Sequence, residues 1–533
     1  MLSKKLRCFA TMMSLVMSIS LFAGCSKEKN DVDTSKNNSE VKADSGTIYP
    51  LEGEHKITYW TQGFVHPDYP TQKETPLMQE MMKRTGVDVD FIHQTSPEAF
   101  SLMVASGDLP DVFKFDLIKG FPGGPSAAIQ QGVAIELNEY LEKYAPNLMK
   151  FYAENPDIEK LVKTDDGSFY NFPFVRGSDY LTTFVGPMLR KDWLDKLGLA
   201  VPETIDEWYT VLQGFKTMGA KSPLTSEILI VKDANPFVGA YNTSFGMHLQ
   251  DGKIVYGPIQ DGYKDFLKTF AKWYAEGLID PDIATVDKNQ VDAKMTTGES
   301  GAAVGHTGSR MGAWLSAMKD DASYDIVAAK YPVLKKGDKP QFGQSQAPYF
   351  GMGVGISSKC KDIEAAVKFL DYGYSEEGHM LYNFGIEGES YEMVDGYPTY
   401  TDLIMKNPDG VPIAQMLLAY VQSSYNGPLI QDQRYMEQYS EYQQQKDAIE
   451  IWKDTDIAKH MLPPVTLNQD ESSEVASIKS EIEAYVDEFF YKSMFGDVNI
   501  DAEWDKYVDT VNKMGVTDMI KTYEEALVRY NNR

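Results

Sequence analysis

Three cysteines among 533 residues leave little from which to build a disulfide framework. Basic residues are scarce too: 51 Lys and Arg stand against 78 Asp and Glu, a formal charge of −27. Nucleic-acid binders need clustered cations to displace the counterions of phosphates, so that class is excluded. Anionic ligands are disfavoured for the same reason, unless a local patch overrides the average. There is no H-E-x-x-H, C-x-x-C or P-loop, and seven scattered His give no metal-ligand spacing, so neither a metal nor a cofactor is expected. No fixed-period repeat occurs, which excludes a solenoid. What the chain does hold is flat, partly polar surface: 32 Tyr, 25 Phe and 7 Trp, in a composition that is 43% hydrophobic.

The N-terminus carries Lys4, Lys5 and Arg7, and the following run from Cys8 to Gly24 has no charge. Broken by Ser14, Ser18 and Ser20 and ending in small residues, this run falls short of the about 20 apolar residues of a bilayer span. It has the three regions of an export signal. Its end, Leu21-Phe22-Ala23-Gly24-Cys25, resembles the lipobox of bacterial lipoproteins, which makes Cys25 the expected lipidated first residue of the mature chain. Loss of the three N-terminal cations takes the formal charge from −27 to −30 and sharpens the preference for a neutral ligand. Only Cys360 is then left as a thiol, so no intramolecular disulfide is expected. Residues Ser26 to Thr47 lack aromatics and almost all aliphatics, the composition of a disordered tether.

From His55 the pattern changes. His55–Trp60 and Val87–Phe91 alternate apolar and polar residues, as strands do, with a helical stretch Pro76–Arg84 between them. A helix Pro97–Ala105, a turn and a strand Asp111–Phe115 follow. Strand and helix in alternation predict a parallel sheet covered by helices. The pattern recurs with helices Asp192–Leu197 and Ile205–Lys216, a strand near Ile228–Val231, a helix Gly262–Glu276 and a strand around Gly301–Gly305. A strand beginning at Tyr349, a helix Ile363–Tyr372 and a mainly helical last hundred residues, including Ile478–Phe490 and Ala502–Met514, complete the reading.

Several segments then carry a resemblance. Ser106-Gly107-Asp108-Leu109-Pro110-Asp111-Val112, Leu189-Arg190-Lys191-Asp192-Trp193-Leu194 and Pro202-Glu203-Thr204-Ile205-Asp206-Glu207-Trp208 resemble the family 1 extracellular solute-binding proteins. Glu276-Gly277-Leu278-Ile279-Asp280-Pro281-Asp282 and Phe384-Gly385-Ile386-Glu387-Gly388-Glu389-Ser390-Tyr391 are similar to the longer Gram-positive branch. The resemblance implies an α/β, two-lobed, periplasmic-binding-protein-like fold of type II, with an inter-lobe cleft, a helical C-terminal region and closure by hinge bending. The expected division is a lipoprotein signal peptide 1–24, a lipidated Cys and tether 25–54, one lobe from 55–185 plus about 350–420, and a second from about 186–349 plus 421–533. Some relatives bind calcium through an EF-hand-like loop, but no D-x-[DN]-x-[DN]-G occurs here and Asp165-Asp166-Gly167 is too short for one.

The expected role is capture of a carbohydrate, an oligosaccharide ahead of a single sugar, at the outer face of the cell membrane and its delivery to ABC transporter permease subunits. The chain is expected to be a monomer and not an enzyme. A membrane-tethered glycoside hydrolase and a surface adhesion lipoprotein stay open as alternatives. A sugar offers apolar C–H faces and a rim of hydroxyls, so its site needs aromatic platforms beside carboxylate, amide or Arg groups. Trp60 at the end of the first strand and Asp111 at the start of the third are candidates. Phe174, Arg176 and Tyr180 lie just before the first crossing segment. His306, in a strand-to-helix turn, and Trp314 on the following helix are the next. Tyr349 and Phe350 open the second crossing, and Glu387 and Tyr425 lie in later turns. Trp193, Trp208 and Trp504 sit at core-like helical spacing and read as packing.

Overall fold

The computed structural model describes residues 47 and 49–533, apart from 63, 65, 67, 408–410, 412 and 426, and gives only the backbone of Ser424 and Tyr425. The signal segment, Cys25 and most of the tether lie outside the described residues.

Two sheets organise the chain. In the first, His55–Thr61 runs parallel to Val87–His93 on one side and to Val112–Asp116 on the other. Met352–Ile356 then joins antiparallel to Val112–Asp116, and the short Phe172–Pro173 closes the order. In the second, the order is Ile326–Ala328, Val185–Arg190, Ala302–His306, Leu224–Thr225. The alternation in His55–Thr61 explains its placement: Ile57 and Tyr59 are buried while Lys56 faces solvent. Helices start where capping residues put them, as at Thr204, whose hydroxyl accepts from the Glu207 N–H while the Glu207 side chain accepts from the Thr204 N–H.

Each sheet is covered by its own core. One gathers Ile57, Trp60, Val89, Phe113, Phe174 and Val354 with the helices around them. The other gathers Leu189, Trp208, Phe266 and Trp273, and the C-terminal helices Gln469–Phe495, Ile500–Lys513 and Val516–Asn531 add Phe490, Trp504, Val511 and Met519 to it. Burial of each such side chain contributes about 1.5–3 kcal/mol. Trp193, Trp208 and Trp504 are all in this second core. No helix among the described residues is long and apolar enough to cross a membrane.

One expected element changes type. The segment Ile228–Ala234 is helical, not a strand, and the strand precedes it at Leu224–Thr225. The β-branched run suggested an extended chain, but Ile228, Val231 and Ala234 are the buried positions, three residues apart, and Asn235 in left-handed backbone (φ 51) ends the helix.

The chain passes between the sheets several times. It leaves the first at Phe172–Pro173 and enters the second at Val185, and returns between Ala328 and Met352. A third passage includes Ile430–Gln431, which pairs in parallel with Val175–Arg176. In the first sheet the parallel strands end at Thr61, His93 and Asp116. In the second, His306 ends its strand where the antiparallel Val185 begins its own, and the parallel Leu224–Thr225 runs toward the same edge, with Thr225 level with Ala303. These strand ends are where an α/β sheet opens to a ligand.

Candidate functional site

Arg176 ties the three passages together. Its backbone N–H donates to the Pro348 carbonyl at 2.9 Å. Its guanidinium donates through Nε (3.1 Å) and Nη2 (3.0 Å) to the Gln346 side-chain oxygen, and through Nη1 (2.9 Å) to that of Gln431. The same guanidinium lies 5.2 Å from the Phe184 ring centre, 5.6 Å from that of Phe174 and 5.7 Å from that of Phe350. Guanidinium over aromatic faces is favourable when water is excluded. Burial pushes its pKa down to about 10, so it stays charged at neutral pH.

The planar groups continue into the second sheet. The His306 imidazole stacks on Phe184, with ring centres 5.9 Å apart and planes inclined by 16°. Burial, and then the nearby Arg310 charge, lower the His306 pKa below its ordinary value, so the ring is neutral at pH 7. A single π-helical turn, Thr307–Gly312, follows directly, and such turns recur at functional sites. Arg310 in that turn is buried and paired with Glu227 and with Asp292 at 3.3 Å. Gly305 makes room for it: a Cβ there would come within 2.8 Å of the Arg310 side chain.

Next to this stack opens a concavity of about 820 Å³. Gln346 and Phe350 come to it from the second passage, Lys119 from beyond the strand end at Asp116, Phe245 from the second core, and Pro463 and Tyr523 from the C-terminal region. Its volume falls in the range of small-molecule sites, roughly 300–1,000 Å³. Ring faces, an amide and scattered charges along one wall form the chemistry a saccharide requires: C–H faces against rings, hydroxyls against amides and carboxylates.

The other expected site residues are distributed differently. Trp60 is packed in the first core against Phe100 (5.4 Å) and Phe115 (6.2 Å), which leaves no open ring face. Asp111 lies at the opposite strand end, where its carboxylate accepts from Thr58 N–H at 2.8 Å and Thr58 Oγ1 at 2.7 Å; it fastens two strands. Phe174 is fully buried and meets Phe350 edge-on. Tyr349 is buried although it borders the concavity, its hydroxyl held by Tyr170 (2.7 Å) and Asn171 (2.9 Å). Trp314 is buried and donates to Asp292 at 2.8 Å. Tyr180 borders a second, separate concavity of about 800 Å³ with Tyr397 and Gln433, and burial pushes its pKa up to about 12. Glu387 is exposed and borders neither concavity. The Tyr425 side chain lies outside the described residues.

The structure thus brings Arg176 and His306 into one assembly, through Phe184, Gln346, Phe350 and Gln431; of these four only Phe350 was selected from the sequence, as the neighbour of Tyr349 at the second crossing.

Two strand-end edges linked by crossing segments are the frame of a binding protein. Residues 68–380, more than half of the chain, match the family of bacterial extracellular solute-binding proteins. The chain belongs to that family. Among curated proteins it is similar to the fructooligosaccharide ABC transporter substrate-binding protein FusA of Streptococcus pneumoniae serotype 4, with 25% identity over 97% of both chains. It is also similar to lipoprotein LipO of Bacillus subtilis, with 27% identity over 81% of this chain and 83% of that one. Among solved structures, the alginate-binding protein AlgQ2 without calcium shares the fold, with a TM-score of 0.73, 23% identity and coverage of 91% of this chain and 100% of that one. The fold expected from sequence, periplasmic-binding-protein-like and mixed α/β, is the observed one.

Proposed function

We propose that this solute-binding protein is a lipid-anchored receptor that takes up an oligosaccharide in the concavity beside Arg176 and hands it to ABC transporter permease subunits. The observation that carries the reading is the family match over residues 68–380, joined to a concavity with both ring faces and polar groups in its wall. The printed name of FusA supports carbohydrate as the ligand class. The signal segment ending in Leu21-Phe22-Ala23-Gly24-Cys25, together with the name of LipO, supports the anchor. Lobe one comprises residues 55–185 with about 350–420, and lobe two the remainder; ligand contacts from both favour a closed state that the permease recognises.

Calorimetric titration against a panel of neutral and acidic oligosaccharides tests this function. Binding of at least one in the micromolar range or tighter is expected. Failure of every saccharide to bind overturns the reading. The same mixtures, followed over hours for cleavage products, separate a receptor from a tethered hydrolase, since turnover at catalytic rates assigns an enzyme.

A further inference from the structure

Seven arginines lie within the described residues, and six have a carboxylate within ion-pair distance. Arg84 meets Glu80 and Glu377, Arg190 meets Asp192, Arg310 meets Glu227 and Asp292, Arg434 meets Asp432, Arg529 meets Asp165 and Glu471, and Arg533 meets Asp165. Arg176 has none, in a chain with 78 acidic residues against 51 basic ones. A chance shortage of acids does not account for this.

A guanidinium has five N–H donors. Three of those on Arg176 go to the amide oxygens of Gln346 and Gln431, which are neutral. Removing an ion from water is costly unless an opposite charge compensates. Amides and ring faces recover only part of that cost, which is why burial pulls this pKa down. Among the described residues the site therefore holds a positive charge with no carboxylate paired to it and with two N–H donors that no protein group accepts. It is fixed by three chain passages, and two of its contact residues, Gln346 and Phe350, also form the concavity wall. Elsewhere the wall carries equal charges of each sign, Lys119 and Lys479 against Asp233 and Glu483.

We infer that Arg176 receives a carboxylate borne by the saccharide, so that the ligand contains acidic sugar residues. This rests on the oligosaccharide reading and narrows it, and it reverses the neutral-ligand preference that the overall charge suggests. The carboxylate supplies the missing counter-charge through charge-assisted hydrogen bonds, and because Gln346 and Gln431 belong to different passages, its arrival adds to the cohesion of the region where the chain crosses between the cores.

The experiment is calorimetry on the full-length folded protein with galacturonate, glucuronate and mannuronate oligosaccharides, each beside its carboxyl-reduced form, and with neutral gluco- and fructo-oligosaccharides. At least one acidic form is expected to bind about 10–100-fold more tightly than its reduced partner at low salt, the gap narrowing as salt rises. Arg176→Gln is expected to abolish that gap, and Lys506→Gln, at an exposed lysine of the helix Ile500–Lys513 that borders neither concavity, to leave it. Equal binding of acidic and reduced forms, or tight binding of a neutral oligosaccharide alone, overturns the inference and leaves the receptor function standing. A gap that survives in Arg176→Gln overturns it as well, by assigning the carboxylate to another cation. Should Arg176→Gln fail to fold, the comparison of acidic with reduced ligands on the unaltered protein still decides.

Discussion

Arg176 and Arg310 stand on either side of Phe184 and His306, and both guanidinium groups are largely withdrawn from water. Their surroundings differ in one respect. Arg310 is met by two carboxylates, Glu227 and Asp292, with Trp314 also donating to Asp292. Arg176 is met by two amides and three rings. In the first arrangement carboxylates cancel the charge, although Nε has no hydrogen-bond partner among the described residues, and the pairs fix the π-helical turn next to the second sheet. The second is incomplete, at the place where the chain crosses between the cores. A protein can therefore use the same side chain as a fastener where its charge is cancelled and as a receptor where it is not. The C-terminal helix repeats the fastener: Arg529 and Arg533 close on Asp165 at 2.9 and 2.7 Å, joining the second core's last helix to a turn of the first.

The comparison can be broken at several points. The largest stability effect is expected from Arg310→Met, which removes the cation from Glu227 and leaves Asp292 with Lys288 at 2.8 Å. A loss of about 2–3 kcal/mol in chemical denaturation is expected, toward the lower end for broken buried pairs because the carboxylates are about one-quarter exposed. A loss below about 0.5 kcal/mol would show that Arg310 is no fastener. Asp165→Asn should cost less, about 1 kcal/mol, because Arg529 is a third exposed and keeps Glu471, and the buried Arg533 keeps the Lys163 carbonyl and the Thr466 hydroxyl; the difference from the parent should shrink as salt is added. A salt-independent difference would mean that packing of the C-terminal helix, not charge, holds it.

The smallest effect concerns His306. Burial first, and Arg310 second, hold its pKa below 6.5. As pH falls from about 6.5, an unfolded chain takes up this proton before the folded one does, so the stability contributed by the neutral ring is lost as pH drops through the folded value. NMR titration of the imidazole should therefore give a midpoint below 6.5. In Arg310→Met the midpoint should move upward without reaching the free value, because burial remains. A midpoint that does not move would show that Arg310 exerts no field at this ring.

Much of the architecture was legible in the residues because it depends on local periodicity. His55–Thr61 and Val87–His93 alternate, Pro76 starts a helix behind the Thr75 cap, and Thr204 with Glu207 form a capping box; each is a short-range pattern with a direct physical cause. The helix Ile228–Ala234 was not legible, since its β-branched residues favour strands and only the packing of Ile228, Val231 and Ala234 into one face decides otherwise. The aromatic candidates divided for a similar reason. Trp60, Phe174 and Trp314 are large apolar groups near strand ends, and nothing local distinguishes a ring that faces a ligand from one that faces a core.

By itself the sequence determined the acidic balance, the alternation of strands and helices and, through motifs in order along the chain, the family. These are properties of neighbours in the chain. Tertiary structure alone decided which charge is left over. Arg176, Gln346 and Gln431 lie far apart in sequence and meet because three passages run side by side between the cores, and that no carboxylate among the described residues pairs with Arg176 there is a property of the assembled surroundings that no stretch of chain contains.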